Sequence, residues 1–340
     1  MKAYPLRAVG LLNYEDVPYP ELNPGWCIVK VKAAGICSSD IPRIFKKGTY
    51  HFPTICGHEF SGVVSEVCDE EYKGYIGKRV GVFPLIPCRN CDQCLQGKYE
   101  MCSNYDYIGS RRDGAFAEYV SVPIWNLIEL DNNISFEDAA MMEPLAVSLH
   151  AMKQFNIMST DNIAIVGTGM IAFAAAQWGI ALGARSVTVL GRSNSKKKLA
   201  DNIPIIHFEL INECNQQFDC VLEAVGSNEA INKSILLAKA GGRIVLMGNP
   251  EGDFNCSQDV YWKILRKQLV VMGTWNSSYE NNKCCDWSEV KDALSKNLIN
   301  VNTLISHRFD QMHVIEALEL MNSHKEPYCK VMTIWNKENC

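Results

Sequence analysis

The sequence predicts an α/β protein of two domains, one β-rich and one built on a doubly wound parallel sheet. Three observations predict it. The first 120 residues run in short alternating stretches punctuated by Gly, Pro and Asn, as strands and turns do. From Asn162 onward strands alternate with apolar helices, which implies a parallel sheet covered on both faces. A chain of 340 residues also exceeds what one core comfortably organises.

In the first part, residues 27–31, 60–67, 79–83 and 115–122 read as strands, and the loops between them carry the polar chemistry. Ala34-Gly35-Ile36-Cys37-Ser38-Ser39-Asp40 and Cys56-Gly57-His58-Glu59-Phe60 offer a thiolate, an imidazole and carboxylates, the donors that zinc takes. Three protein ligands and an open fourth position mark a catalytic rather than a structural site. The alternative is a buried Cys37 thiol and a core His58. Cys88, Cys91, Cys94 and Cys102 are separated by two, two and seven residues. Four thiolates this close repel unless a cation neutralises them, so a structural zinc lobe is expected over 88–102. An iron–sulfur cluster competes, but the bacterial ferredoxin run closes after three residues with Cys-Pro. Here the last gap is seven and Ser103 follows. In the polar loop 109–114, Arg111 and Arg112 are either solvated or meet an anionic substrate. Glu143-Pro144 then opens an apolar helix over 145–155, with proline suitably in its first turn. Glu143 is either an ordinary cap or a zinc-site carboxylate, and His150 within that helix reads as core.

The strand Asn162–Val166 runs into Gly167-Thr168-Gly169-Met170-Ile171-Ala172, a helix to about residue 182, and a second strand at 186–190. This is G-x-G-x-x-A in its strand–turn–helix context, where glycines admit a pyrophosphate to the helix N-terminus. Candidate dinucleotide contacts are Gly167, Gly169, Met170, Ile171, Gly191, Arg192 and Ser193, with Val225 and Gly248 from later turns. An acidic residue at the end of the second strand would read the ribose 2′-hydroxyl of NAD. This chain has Gly191-Arg192-Ser193 there, with Lys196, Lys197 and Lys198 beyond, so NADP(H) is expected over NAD(H). Further strand–helix units are expected at Phe218–Glu223 and at 241–248, and the sheet should end near Trp275. The remainder (301–307, a helix near 313–321, a strand at 330–335) reads less like a nucleotide unit. The expected division is 1–148 with 290–340 for the catalytic domain and 149–289 for the dinucleotide domain.

A composition of 47% hydrophobic and 21% charged residues is that of an ordinary soluble globular enzyme. The net charge of −5 with scattered cations argues against nucleic acid as a partner. The first residues lack a signal-peptide core. The stretch 162–184 has no charge and is long enough to span a bilayer, but Gly167 and Gly169 interrupt it. Fifteen cysteines without an export signal imply a reducing, cytoplasmic compartment, where those outside the metal motifs (Cys284-Cys285 included) stay thiols.

Assembled in this order, these motifs resemble the zinc-dependent medium-chain dehydrogenases over essentially the whole chain. The resemblance implies a GroES-like catalytic domain closed by the C-terminal segment, with a Rossmann domain between, in a homodimer or homotetramer. It implies a catalytic zinc on Cys37 and His58, with Glu59 and Glu143 as carboxylates of which one binds directly and the other directly or through water. It gives Ser39 the passage of the substrate proton toward solvent and Asp40 the orientation of His58. Pro42 stands where alcohol dehydrogenases of the family often place a relay histidine. The stretches 42–46, 107–114 and 263–267 are similar to the branch that acts on galactitol-1-phosphate. The implied reaction is therefore hydride transfer from a sugar-alcohol phosphate to NAD(P)⁺, giving a ketose phosphate, with Arg43, Arg111 and Arg112 on the phosphate. A polyol, butanediol or threonine dehydrogenase is the alternative within the fold, and a catalytically silent dinucleotide-binding protein the alternative of another class.

Overall fold

Eleven residues, Trp26–Ile36, form the central strand of a seven-stranded sheet in this computed structural model, which describes residues 1–203, 206–250, 252–281 and 283–335. The strand is apolar along nearly its whole length because it pairs antiparallel with Glu59–Val67, with Lys330–Ile334 and with Tyr119–Pro123. Arg79–Val82 and Leu127–Glu129 extend the sheet one way, and Ile305–Asp310 closes the other side parallel to Lys330–Ile334. Val29, Val31, Ile36, Phe60, Val64 and Leu318 form its core. The strand expected at 115–122 begins only at Tyr119. The N–H groups of Ala115 and Phe116 are already given to the Gly57 and Cys56 carbonyls, which ties this segment to the metal-ligand loop. The register places Gly35 opposite both Glu59 and Met332, so three strands deliver their chemistry to one point.

The second sheet has six parallel strands in the order Ile206–Leu210, Ser186–Gly191, Asn162–Val166, Phe218–Glu223, Ala238–Leu246, Val270–Gly273. That 3-2-1-4-5-6 order puts a switch point beside Asn162–Val166, where doubly wound sheets bind dinucleotides. The uncharged stretch resolves into the strand Asn162–Val166 and the helix Met170–Ala181, whose residues Ala172 to Gly179 are all buried. A helix apolar all round packs on more than one side; at Gly179 a Cβ would stand 2.9 Å from Val187 Cγ2, so the helix approaches the sheet closely there. No helix among the described residues is long and apolar enough to cross a membrane.

Contacts divide the chain into Met1–Glu143, Ser278–Lys296 and Ile305–Cys340 on one hand, and Pro144–Ser277 with Asn297–Leu304 on the other. These limits differ from the expected 148/149 and 289/290, for reasons visible in the side chains. Tyr279 donates its hydroxyl to the Trp125 carbonyl at 2.7 Å, and Trp287 packs edge-on to Phe83, which draws residues 278–296 into the first unit. Gln177 accepts from the Asn300 N–H at 2.7 Å and donates to its carbonyl at 3.2 Å, which holds 297–304 in the second. The first division falls inside the first turn of the helix Met142–Lys153, at the Glu143–Pro144 step. The tail 336–340 of the expected segment lies outside the described residues.

Candidate metal centres and dinucleotide site

The turn after Trp26–Ile36 is held by Asp40, whose Oδ2 accepts from the Cys37 N–H at 3.1 Å. Its other oxygen accepts from the Arg43 guanidinium at 2.9 Å and faces His58 Nδ1 at 3.6 Å. That gap is too long for a hydrogen bond, and His58 Nδ1 has no other partner in its buried position. Burial alone would raise the Asp40 carboxyl, but His58 and Arg43 hold it below its ordinary range. Burial opposes charge on His58, and the neighbouring Asp40 and Cys37 outweigh it, raising the imidazole well above its usual value. Ser39, exposed, aims its hydroxyl at Cys37 Sγ, 3.3 Å away.

Donor atoms of Cys37, His58 and Glu59 all lie within 4.8 Å of one another. Thiolate, imidazole and carboxylate so gathered, with an acid behind the imidazole, fit a zinc ion and its customary outer partner. Glu143, buried near the start of its helix, accepts from the Tyr107 hydroxyl at 3.3 Å and stands outside that closest trio. Burial raises its carboxyl to about 7, Glu59 adds to this, and His58 and Lys330 oppose it. A bound cation reverses that shift.

Cys88, Cys91, Cys94 and Cys102 form the second cluster, with Sγ–Sγ distances of 3.4, 3.9 and 3.9 Å. Zinc–sulfur bonds of about 2.3 Å give a tetrahedral edge of about 3.8 Å, so the four thiols already stand at metal spacing. N–H groups of Cys94 and Ser103 directed at the Cys91 sulfur pull that thiol down to about 5.

The glycine-rich turn borders a cavity of about 450 Å³. Gly167, Gly169, Gly191, Arg192, Ser193 and Val225 line it. A side chain at Gly169 would project into open space over the helix N-terminus, room that a pyrophosphate needs. Gly167, at φ 129, occupies backbone space closed to other residues, and its missing Cβ clears Val225 by 3.1 Å. Met170 and Ile171 instead begin the helix, Met170 being buried, and Gly248 packs on the backbone of Val225 and Gly226. Glu223, fully buried, braces this turn by accepting from the Val225 and Gly226 N–H groups, both at 2.8 Å.

Two expected phosphate ligands are committed elsewhere. Arg111 stacks between Tyr50 and Tyr105, at 4.6 and 4.3 Å, and donates to the Tyr105 carbonyl at 2.7 Å. Arg112 is paired with Asp106 and lies 5.2 Å from the Trp26 ring. Both border another cavity, of about 750 Å³, lined by none of Cys37, His58, Glu59 or Glu143. Arg43 spends one donor on Asp40, with 20% of its side chain exposed. Tyr107 and Lys330, which contact Glu143 and Glu59, were not singled out from sequence. A lysine heading an otherwise apolar strand was the available clue for Lys330.

Residues 23–132 match the family model of the alcohol dehydrogenase GroES-like domain, and 167–295 that of the zinc-binding dehydrogenases. Galactitol 1-phosphate 5-dehydrogenase of Escherichia coli K12 is 34% identical over 311 residues, 88% of this chain and 90% of that protein. The crystal structure of galactitol-1-phosphate dehydrogenase from Escherichia coli superposes with a TM-score of 0.88 at 31% identity, covering 98% of this chain and 100% of that one. A Sinorhizobium meliloti 1021 protein whose crystal structure holds NADP superposes at 0.89 with 28% identity, covering 98% and 99%. Two family matches on the two halves, and a relative above 30% identity across most of the length, agree with the metal donors and the glycine turn: the chain belongs to the zinc-dependent medium-chain dehydrogenases, enzymes of zinc and a nicotinamide dinucleotide.

Proposed function

We propose that this enzyme interconverts a sugar-alcohol phosphate of the galactitol-1-phosphate type and a ketose phosphate, with NADP(H) preferred over NAD(H). The observation that carries the substrate reading is the 34% identity to galactitol 1-phosphate 5-dehydrogenase over 88% of the chain. Arg43, three residues beyond Asp40 and partly exposed, gives only one N–H to a partner among the described residues, which leaves donors for a phosphate. Arg111 and Arg112 drop out of this role.

When bound, zinc and the nicotinamide supply Lewis-acid activation of an alcohol and acceptance of hydride. Cys37 and His58 would hold the metal with Glu59 or Glu143, and the Asp40 carboxylate, 3.6 Å behind Nδ1, favours the imidazole by its charge. The Ser39 hydroxyl, at the solvent-exposed rim beside Cys37, accepts the substrate proton and hands it to water. Tyr107 fixes Glu143. Cys88, Cys91, Cys94 and Cys102 hold the second zinc and stabilise their lobe without touching the chemistry. A homodimer or homotetramer is supported by the edge strand Val270–Gly273, which leaves Val270 and Val271 exposed with Trp275 just beyond. None of the fourteen cysteines among the described residues is in a disulfide, which suits a reducing cytoplasm.

The test is turnover of galactitol 1-phosphate, galactitol, sorbitol, 2,3-butanediol and L-threonine with each cofactor. The phosphorylated polyol with NADP⁺ should give the highest kcat/KM. Equal turnover of galactitol and its phosphate, or preference for threonine, would overturn the substrate assignment.

A further inference from the structure

Lys330 opens the strand Lys330–Ile334 with a side chain only 4% exposed, and it is neither a metal donor nor a dinucleotide contact. Its ammonium donates to Glu59 Oε2 and to the Ile36 carbonyl, the latter at 3.2 Å. Glu59 reaches it by lying across Gly35. A Cβ on Gly35 would collide with Glu59 Oε2 and stand 3.4 Å from Lys330 Cδ. The missing side chain is therefore the opening through which acid and ammonium meet. Taking either charge out of water is costly, and each offsets that cost for the other. Glu59 is also the acid whose donor atom lies within 4.8 Å of those of Cys37 and His58, so one carboxylate is offered to two cations.

We propose that Lys330 is a positioning residue of the metal centre: it holds Glu59 across Gly35 and limits how far that carboxylate enters the ligand set. The inference rests on the catalytic-zinc reading given above. Cys37, Glu59 and Glu143 bring three negative charges, and a divalent ion with Lys330 balances them. Without the ammonium, the metal is the cation left for Glu59. The carboxylate then binds it fully and takes the position that must stay open for substrate.

Lys330→Met and Lys330→Arg would be compared with wild type, zinc- and cobalt-loaded, with Cys37→Ser as the spectral blank for the four-cysteine lobe. Outer partners of metal ligands act on a 10- to 100-fold scale. Lys330→Met should turn over about 10- to 100-fold more slowly, yet release its zinc to a chelator about tenfold more slowly than wild type. Its cobalt bands should shift, its melting temperature should gain more on metal addition, and Lys330→Arg should restore all of these. Gly35→Ala evicts Glu59 from the same place and should shift the cobalt bands alike, which keeps the test open if Lys330→Met does not fold. Unchanged bands and chelation rate, with stability lost equally with and without metal, would make Lys330 merely structural and overturn the proposal. Wild type binding no metal at Cys37 and His58 would instead sink the catalytic-zinc reading, and this proposal with it.

Discussion

Replacing Arg192 by alanine removes the cation that follows the second strand of the parallel sheet, beside the dinucleotide cavity. Among the described residues no hydrogen bond or ion pair engages its guanidinium, so a 2′-phosphate would not have to displace a protein partner. A hydrogen bond to a charged group contributes about 1.5–3 kcal/mol, and each 1.4 kcal/mol is tenfold in affinity. Arg192 is exposed, so solvent and salt screen the pair and place the effect at the lower end. Arg192→Ala should therefore raise KM for NADP⁺ about tenfold, more at low salt, while KM for NAD⁺ stays within about twofold. Steady-state kinetics at saturating polyol phosphate and fluorescence titration of cofactor binding read this separately. Restoring an acid for NAD is harder, because a Cβ on Gly191 would lie 2.7 Å from Phe208 Cζ and 2.9 Å from Thr168 Cγ2. Gly191→Asp with Arg192→Ile should thus favour NAD⁺ only when Phe208→Ala is added. A wild type that prefers NAD⁺, or an Arg192→Ala that weakens both cofactors equally, would refute the reasoning.

Tyr107→Phe loses the hydroxyl on Glu143, and a hydrogen bond of about 0.5–1.5 kcal/mol should lower kcat up to about tenfold while melting temperature falls by only a few degrees. An unaltered kcat would show that Tyr107 does not position that acid. Cys94→Ser should lower stability and release one metal while residual folded enzyme keeps its kcat, measured by melting and elemental analysis; lost kcat in well-folded protein would contradict a purely structural lobe. Asp219 accepts from the Asn162 N–H and from Lys239, each at 2.9 Å. Burial would raise its carboxyl, but these partners lower it, so its stabilisation is complete above the unfolded value of about 3.9 and is lost as pH falls through the folded one. Asp219→Asn should cost under about 1 kcal/mol at pH 7, because solvent screens the partly exposed pair with Lys239, and the gap in melting temperature should close toward pH 3; a constant gap would assign the effect to packing.

What can be read along the chain depends on whether the physics is local. The strand Asn162–Val166 and the turn from Gly167 are recognisable because a buried parallel strand is an almost continuous apolar run, and a phosphate turn needs glycine. Metal donors are recognisable because thiol spacing is itself chemical. The meeting of Lys330 with Glu59 is not, since it depends on pairing between segments 271 residues apart in sequence. Arg111 and Arg112 mislead for a related reason. A guanidinium looks available in sequence, and only the fold reveals Tyr50, Tyr105, Trp26 and Asp106 around the two of them. Residues 278–289 pass in sequence for a continuation of the dinucleotide unit, because only the fold shows Tyr279 and Trp287 finding their partners near residues 83 and 125.

Metal content set against hydride transfer tests the central claim, that one zinc works at Cys37, His58 and a carboxylate while another only stabilises the cysteine lobe. Wild type should carry two zinc ions per chain and reduce NADP⁺ with its polyol phosphate. Cys37→Ser should carry one, keep its fold and produce no reduced cofactor. One metal per chain in wild type, iron in place of zinc, or undiminished turnover in Cys37→Ser would contradict it.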